Sequence, residues 1–425
     1  MIKLTKYPSP DQWEELLARP YSDNAPLLAS VKEIISSVQT QGDAALRSYT
    51  AQFDGVELAD FQVSQAELKG AGNLLSSALR TAIQQAKGNI EAFHRSQQKP
   101  EAVVETMPGV LCWRENRAID KVGLYIPGGT APLFSTVLML AIPAALAGCT
   151  KIVLCSPCNA RGEIHPAILY CAQLTGVHKV YKIGGAQAIA AMAYGTQTVP
   201  AVYKIFGPGN QYVTAAKQLV QVAGVAIDMP AGPSEVCVLA DAGANAAFVA
   251  ADLLAQAEHG PDSQVVLVTT SESFVNSCLE ELDKQVTHLT RKDIAQRALS
   301  NSRIILMKTI SEAIQITDQY AAEHLILHCA NADEIAVQIK NAGSVFIGPY
   351  SPESIGDYAS GTNHTLPTNG YARAYSGVST DSFVKKITYQ KLTKEGLNNI
   401  AKTVMVMAEE EGLQAHAAAV KIRLA

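Results

Sequence analysis

Apolar and polar positions divide the chain into a helical stretch, two alternating blocks and an irregular tail. Gln12 to Leu17 carries a short amphipathic pattern, and a loop rich in Pro, Ser, Asp and Asn follows up to Ala25. Val31 to Tyr49 and Leu74 to Phe93 repeat apolar residues at helical spacing with polar opposite faces, which predicts a mostly helical N-terminal part. From Lys121 the pattern changes. Val122–Ile126, Lys151–Leu154, Val180–Ile183 and Val202–Phe206 are short apolar runs that read as strands, with helical segments between them. The alternation restarts with Val236–Leu239, Val265–Val268, Ile304–Met307, Leu325–Leu327 and Val345–Ile347. Helices are expected over Ala244–Glu258, Ile310–Tyr320 and Glu334–Ala342. Such alternation predicts parallel sheets covered on both faces. Two successive blocks of similar size look like a structural duplication, although no residue-level repeat is visible.

After Tyr350 the alternation stops. Ser351 to Asn369 is rich in Ser, Gly, Asp, Asn, Thr and Pro and too long for a bland connector. A strand-like Phe383–Tyr389 and a helical Leu397–Leu413 form the tail, which has too little apolar material to stand alone. It is expected to dock on another surface or another subunit. The glycine turns after the first-block strands, Pro127-Gly-Gly129, Gly184-Gly185 and Gly207-Pro-Gly209, fall where ligands collect in such sheets. No Gly-x-Gly-x-x-Gly follows any strand, so a dinucleotide site here is not of the standard kind.

Composition narrows this little. Lys+Arg of 34 against Asp+Glu of 39 gives a formal net charge of -5 without long runs of either sign, which argues against a nucleic-acid binder or a polybasic membrane anchor. The longest uncharged run, Ala131–Cys149, contains Pro132, Pro143 and Gly148 between two strand-like segments, and reads as a buried crossover helix. The first twenty or so residues lack the apolar core of a signal peptide, and the eight scattered cysteines suit a reduced cytoplasm. Cys155 and Cys158 form a lone Cys-x-x-Cys without the second pair of a zinc ribbon.

Candidate chemistry centres on the end of the Ala244–Glu258 helix. Gln256 and His259 stand three residues apart, so an amide oxygen and an imidazole can bite one metal ion. Solvent-facing polar residues at a helix terminus are the plain alternative. Asp357 in the long loop and His416 in the tail are further candidate ligands, with zinc the first guess and manganese or cobalt open. Glu323-His324, at the break between a helix and a strand, sets a carboxylate beside an imidazole and suits water activation and proton transfer. A zinc hydrolase using Glu323 as base remains an alternative on these residues alone. His94, at a helix end, is accounted for as a cation near a C-terminus.

These stretches together resemble the histidinol dehydrogenase family over nearly the whole chain. The likeness is densest in Gly123-Leu-Tyr-Ile-Pro-Gly-Gly129, Gly184-Gly-Ala-Gln-Ala188, Phe206-Gly-Pro-Gly-Asn210 and Asp228-Met-Pro-Ala-Gly-Pro-Ser-Glu235. It continues through Gln256-Ala-Glu-His-Gly-Pro-Asp262, Glu323-His324, Gly356-Asp-Tyr-Ala-Ser-Gly-Thr-Asn-His364 and Ala415-His416. The resemblance implies a cytoplasmic, zinc-containing homodimer that oxidises L-histidinol to L-histidine through the aldehyde with two NAD. It implies zinc on Gln256, His259, Asp357 and, from the partner, His416. His324 would be the general base, and Glu323 would activate water. Ser234, His364 and, again from the partner, Glu411 would contact substrate. Tyr125, Gln187 and Asn210 would line the NAD site. The fold class expected is α/β: two βα-repeat, incomplete Rossmann-like parallel-sheet domains with a helical N-terminal part and a small dimer-swapped C-terminal tail. Residues 1–23 would be an N-terminal arm, 24–120 with 236–378 the metal and catalytic domain, 121–235 the NAD domain, and 379–425 the tail on the partner subunit.

Overall fold

Each block of alternating strands and helices closes into one parallel sheet. The computed structural model describes residues 2–19, 25–128 and 132–424. The polar loop before Ala25, the end of the proposed arm and Gly129 of the first glycine turn lie outside the described residues. In chain order the strands are β1 (Lys3–Lys6), β2 (Val104–Met107), β3 (Val110–Ala118), β4 (Lys121–Tyr125), β5 (Lys151–Ser156), β6 (Lys179–Lys182) and β7 (Lys204–Phe206). They continue as β8 (Ala226–Ile227), β9 (Glu235–Ala240), β10 (Gln264–Thr269), β11 (Arg303–Leu306), β12 (His324–His328), β13 (Ser344–Ile347) and β14 (Val384–Leu392).

The first sheet runs β6-β5-β4-β7-β8 and the second β1-β11-β10-β9-β12-β13. Counted from its own first strand, each has the order third, second, first, fourth, fifth, with β1 added to the second sheet as an extra parallel edge. The duplication expected from the sequence is therefore one of topology. Helices Ala25–Gln41, Gly185–Tyr194 and Gln211–Val222 cover one face of the first sheet, and Ser77–Arg95, Phe134–Ala147 and Pro166–Leu174 the other. The second sheet lies between Ala246–Ala257, Glu272–Val286 and Lys292–Ser300 on one face and Ile310–Tyr320 with Trp13 and Leu17 on the other. β9, β10 and β12 are buried along their whole lengths, as apolar runs between two helical layers must be. Each fully buried Val or Leu in them contributes roughly 1.5–3 kcal/mol relative to exposure. The uncharged run near Ala131 does form a buried helix, Phe134–Ala147, and no described helix is long and apolar enough to cross a membrane.

Several elements differ from the pattern along the chain. The single helix expected over Val31–Tyr49 is two, because Gly42 at φ +58° leaves the helical region and starts Asp43–Asp54 on a new axis. The helix expected over Glu334–Ala342 is one short piece, Ala332–Ala336. The long loop after Tyr350 contains a helix, Glu353–Tyr358, and the tail contains a second helix, Gln414–Lys421. β2 and β3 have no clear signature in the sequence, and they form an antiparallel sheet with β14 in which all nine β14 residues pair with β3. Trp113 and Tyr389 stack directly across that pair, ring centres 5.4 Å apart.

His94 departs most from what its position in the sequence suggests. It is fully buried rather than a solvated cation at a helix end. Its Nδ1 faces Gln97 Oε1 at 3.2 Å and its Nε2 faces the Asn363 amide nitrogen at 3.3 Å, which suits a neutral ring with the proton on Nδ1. Burial pushes its pKa down, against a smaller upward pull from Gln97. Its carbonyl accepts from Thr380 Oγ1 at 3.0 Å, so the ring sits where the tail leaves the α/β core. The unfolded chain therefore takes up this proton first. The contribution of His94 is complete above the ordinary value of 6.5 and is lost as pH falls from there through the lower folded value. His94→Gln should flatten the fall in melting temperature between pH 7 and pH 5 relative to the unaltered protein. Identical slopes would show that His94 is not a source of that dependence.

Candidate active site

The second sheet presents its chemistry at the amino ends of its strands, the edge opposite the one that usually holds ligands in such sheets. Helix Ile310–Tyr320 ends with Ala321 in the left-handed region at φ +54°, and the chain turns through Ala322 and Glu323 into β12. That break is the one the sequence predicts, and it points both side chains inward: Glu323 is 5% and His324 4% exposed. Glu323 Oε2 accepts from the Glu235 backbone N–H at 2.9 Å. His324 Nδ1 lies 3.7 Å from that carboxylate and 3.4 Å from the Glu235 carbonyl oxygen. On its other side His324 Nε2 is 3.3 Å from Asp357 Oδ1, without hydrogen-bond alignment.

Asp357 lies on helix Glu353–Tyr358, and His364 Nδ1 donates to its carbonyl oxygen at 2.8 Å. The other His364 nitrogen meets Thr136 Oγ1 at 3.1 Å, so this histidine ties the long loop to the helix after β4. Gln256 is buried at the end of Ala246–Ala257 with its amide nitrogen unpartnered, and His259 follows beyond the helix end. Ligand atoms of His259, Asp357 and Glu353 all lie within 4.8 Å of one another. Glu353 is the member of this group that the sequence does not single out. Its one signal is the i, i+4 spacing to Asp357, which puts both carboxylates on one helix face, and the polar loop hides that helix.

Crowding of buried acids sets the electrostatics. Burial pushes the Glu353 carboxyl up to about 8, partly offset by His324. Burial pushes Asp357 up, but the facing His324, helped by His364 and His259, outweighs it electrostatically and holds the carboxyl below the usual range. Burial raises Glu323, whereas His324 is raised by Glu323, Asp357 and Glu353 against its own burial. Glu323 and His324 are coupled, each favouring the charged form of the other. Burial pushes His259 and His364 down, so both favour neutral imidazole. An imidazole and two carboxylates that converge fit a borderline divalent ion such as zinc, and Gln256 adds a buried amide at the end of the helix that precedes His259.

A buried network holds this edge in place. Arg19 makes a two-pronged pair with Glu235 at 2.7 and 2.8 Å, donates to the Tyr320 carbonyl at 2.8 Å and lies 4.2 Å over the Tyr320 ring. Tyr320 Oη in turn donates to Gln264 Oε1 at 2.8 Å. None of this is legible in the sequence, since contacts across 56 to 301 positions leave no local spacing.

The first sheet carries a separate cavity of about 1310 Å³, lined among others by Tyr125, Gly128, Ser156, Gly185, Gln187 and Asn210. It opens at the carboxyl ends of β4 and β5, where the glycine turns are expected to place a ligand. Tyr125 Oη accepts from the Gly185 N–H at 3.0 Å, and Asn210 caps helix Gln211–Val222 by accepting from the Tyr212 and Val213 N–H groups. Gly207, at φ +129°, passes so close to the Tyr125 carbonyl that a Cβ there would lie 2.1 Å from its oxygen. Only glycine fits that turn. The cavity has the size and the glycine-lined floor that a dinucleotide needs. Cys155 and Cys158 are free, buried and pushed up by burial, which makes them poor nucleophiles. Ser234 precedes β9, while Glu411 and His416 are exposed on the tail and are not members of the His259–Glu353–Asp357 cluster.

The chain is similar to known proteins over nearly its whole length. The family model for histidinol dehydrogenase matches residues 17–424. A histidinol dehydrogenase of Bacteroides thetaiotaomicron is 58% identical, covering 100% of this chain and 99% of its own. That of Xanthomonas campestris is 53% identical over 93% of this chain and 92% of its own. The crystal structure of histidinol dehydrogenase from Elizabethkingia anophelis superposes with a TM-score of 0.98 at 54% identity, covering 100% of this chain and 98% of that one.

Because Glu235 is buried, removing the guanidinium that pairs with it strands a charge. Arg19→Met should cost roughly 3–5 kcal/mol in denaturant unfolding, and Arg19→Met with Glu235→Met should regain most of it. A double variant no more stable than the single one would show that the pair is not what holds this edge.

Proposed function

The chain belongs to the histidinol dehydrogenase family, oxidoreductases that take histidinol to histidine in histidine biosynthesis, and from that premise we propose how its residues divide the work. Gln256, His259 and Asp357 hold one zinc ion, and the partner subunit's His416 completes its shell. Ser234, His364 and the partner subunit's Glu411 contact the substrate. Tyr125, Gln187 and Asn210 line the site of NAD. Zinc supplies a template for a substrate that carries an amine and an imidazole nitrogen, and NAD accepts hydride.

The chain's own residues do the proton work. His324 takes the hydroxyl proton as hydride leaves the carbinol carbon, giving the aldehyde, L-histidinal. Glu323, one residue away, takes a proton from the water that adds to that aldehyde. Loss of a second hydride from the hydrate gives the carboxylate, so the two oxidations consume two NAD. With Asp357 engaged by a cation, its share of the field on His324 is lost, and the imidazole moves down towards the range a general base needs. The observation that carries this reading is the buried row Glu323, His324, Asp357, spaced at 3.7 and 3.3 Å beside the cluster of donor atoms.

The homodimer with shared sites rests on two supports. The tail exposes Val406, Met407, Leu413 and Ile422, and its His416 and Glu411 face solvent. Residues 121–235 would then serve the dinucleotide, 24–120 with 236–378 the metal and proton chemistry, and 379–425 the partner subunit. The setting is cytoplasmic, in keeping with eight unpaired cysteines.

Purified protein given L-histidinol and excess NAD should form two NADH per histidinol, lose this on chelation and regain it with zinc. A fully metallated sample that forms none would overturn the reading and favour hydrolysis on the same pair. Mixing equal amounts of inactive His324→Ala and inactive His416→Ala protomers should restore activity to about a quarter of that of the unaltered protein, since random exchange makes about half of the dimers mixed and each mixed dimer has one intact site of two. No recovery would confine each site to one chain.

A further inference from the structure

The first sheet repeats the strand order of dinucleotide-binding folds but lacks one of their parts. In such folds an acid at the end of the second strand receives the adenosine ribose hydroxyls. Here the second strand is β5, which ends in Cys155-Ser156 and continues as Pro157-Cys158-Asn159, with no acid. The next carboxylate along the chain, Glu163, is exposed and already bound to Arg161 and Asn159. Glu67, also on the cavity wall, is bound to Lys182 and to the Ser64 backbone.

One acid on that wall is uncommitted. Asp54 comes from the N-terminal helices, at the last position of Asp43–Asp54, and lines the cavity beside Ser156, Pro157 and Cys158. Its Oδ2 is buried without a hydrogen-bond partner among the described residues. After burial itself, its charge is among the causes that push up both the Cys158 thiol and the Tyr125 phenol, which places it over the ends of β5 and β4. Three local costs meet in this one side chain. It is desolvated, it has an unpaired oxygen, and it sits at the negative end of a helix. Burial alone raises it to about 6. No described residue compensates with a hydrogen bond to that oxygen, whereas a pair of hydroxyl donors in the cavity would.

We propose that Asp54 supplies, from outside the sheet, the missing acid of the dinucleotide site, receiving the adenosine ribose hydroxyls and selecting NAD over NADP. A carboxylate accepts from the 2′- and 3′-hydroxyls, and it repels the dianionic 2′-phosphate of NADP at close range. The inference rests on the reading that this cavity holds NAD, so its test must separate the two.

Isothermal titration of the zinc-loaded protein with NAD and with NADP provides that separation, run on the unaltered protein, Asp54→Asn and Gln187→Ala. Asp54→Asn should weaken NAD about tenfold or more, the loss of a charge-assisted hydrogen bond. NADP should be weakened less or not at all, so selectivity falls, while kcat at saturating NAD stays within a few-fold. The same variant should melt higher than the unaltered protein without cofactor, because a desolvated unpaired charge has been removed. If Gln187→Ala weakens NAD but Asp54→Asn changes neither affinity nor the NAD to NADP ratio, the proposal for Asp54 fails and the cavity reading stands. If neither variant weakens NAD, the cavity is not its site and both fail. Should Asp54→Asn weaken NAD and NADP equally while melting lower, its role is structural and the proposal is overturned.

Discussion

The pairing of Arg19 with Glu235 is the constraint on which the catalytic edge depends. Glu235 opens β9, and its backbone N–H and carbonyl hold Glu323 and His324 respectively. Its side chain is 2% exposed, so its charge must be met inside the protein. Arg19 meets it from the segment before Ala25–Gln41 and at the same time caps the end of Ile310–Tyr320 through the Tyr320 carbonyl. One guanidinium thus joins three pieces of chain that are remote in sequence. Any slack there would move Glu323 and His324 relative to the His259–Glu353–Asp357 cluster, and the proton transfers proposed for them tolerate little misplacement.

Two sheets of the same strand order are used in opposite ways. The first offers the carboxyl ends of its strands to a cavity floored by glycine turns, as expected for this topology. The second carries its acids and imidazoles at the amino ends, where the turn from Ile310–Tyr320 into β12 and the end of Ala246–Ala257 converge. His364 connects the two, since one nitrogen bonds the helix after β4 and the other the Asp357 carbonyl. A duplicated scaffold can diverge this way because each edge belongs to different loops.

Strands buried on both faces are legible in the sequence, because a continuous apolar run bounded by turn residues suits few elements besides a central strand. β2 is not, since all four of its residues are exposed and its pairing is set through β3 by the tail, some 280 positions away. Gly42 is visible in the sequence, but its conformation is not, and the spacing suggests one helix where two exist. The same difference governs the site. Gln256, His259, Glu323 and His324 stand beside element ends that the pattern locates. Glu353 stands in a polar stretch whose helix is held by packing rather than by propensity. His94 shows the converse error: a basic residue at a helix end has a local explanation, and only the tertiary structure reveals a buried neutral ring.

Buried carboxylates without full partners recur wherever this chain has chemistry to do. Asp54, Asp252, Glu323 and Glu353 are all raised chiefly by burial. A protein selected for stability alone would neutralise or expose them, since each unpaired acid lowers the stability of the folded chain above its ordinary pKa. They cluster instead at the cavity of the first sheet and beside the donor cluster of the second. On the proposed function the charge arriving at the second site is a cation, and several acids would share its field. On the proposal for Asp54 the groups arriving at the first site are hydroxyls, for which one acid would suffice. The different number of uncompensated acids at the two edges therefore follows from what each has to bind.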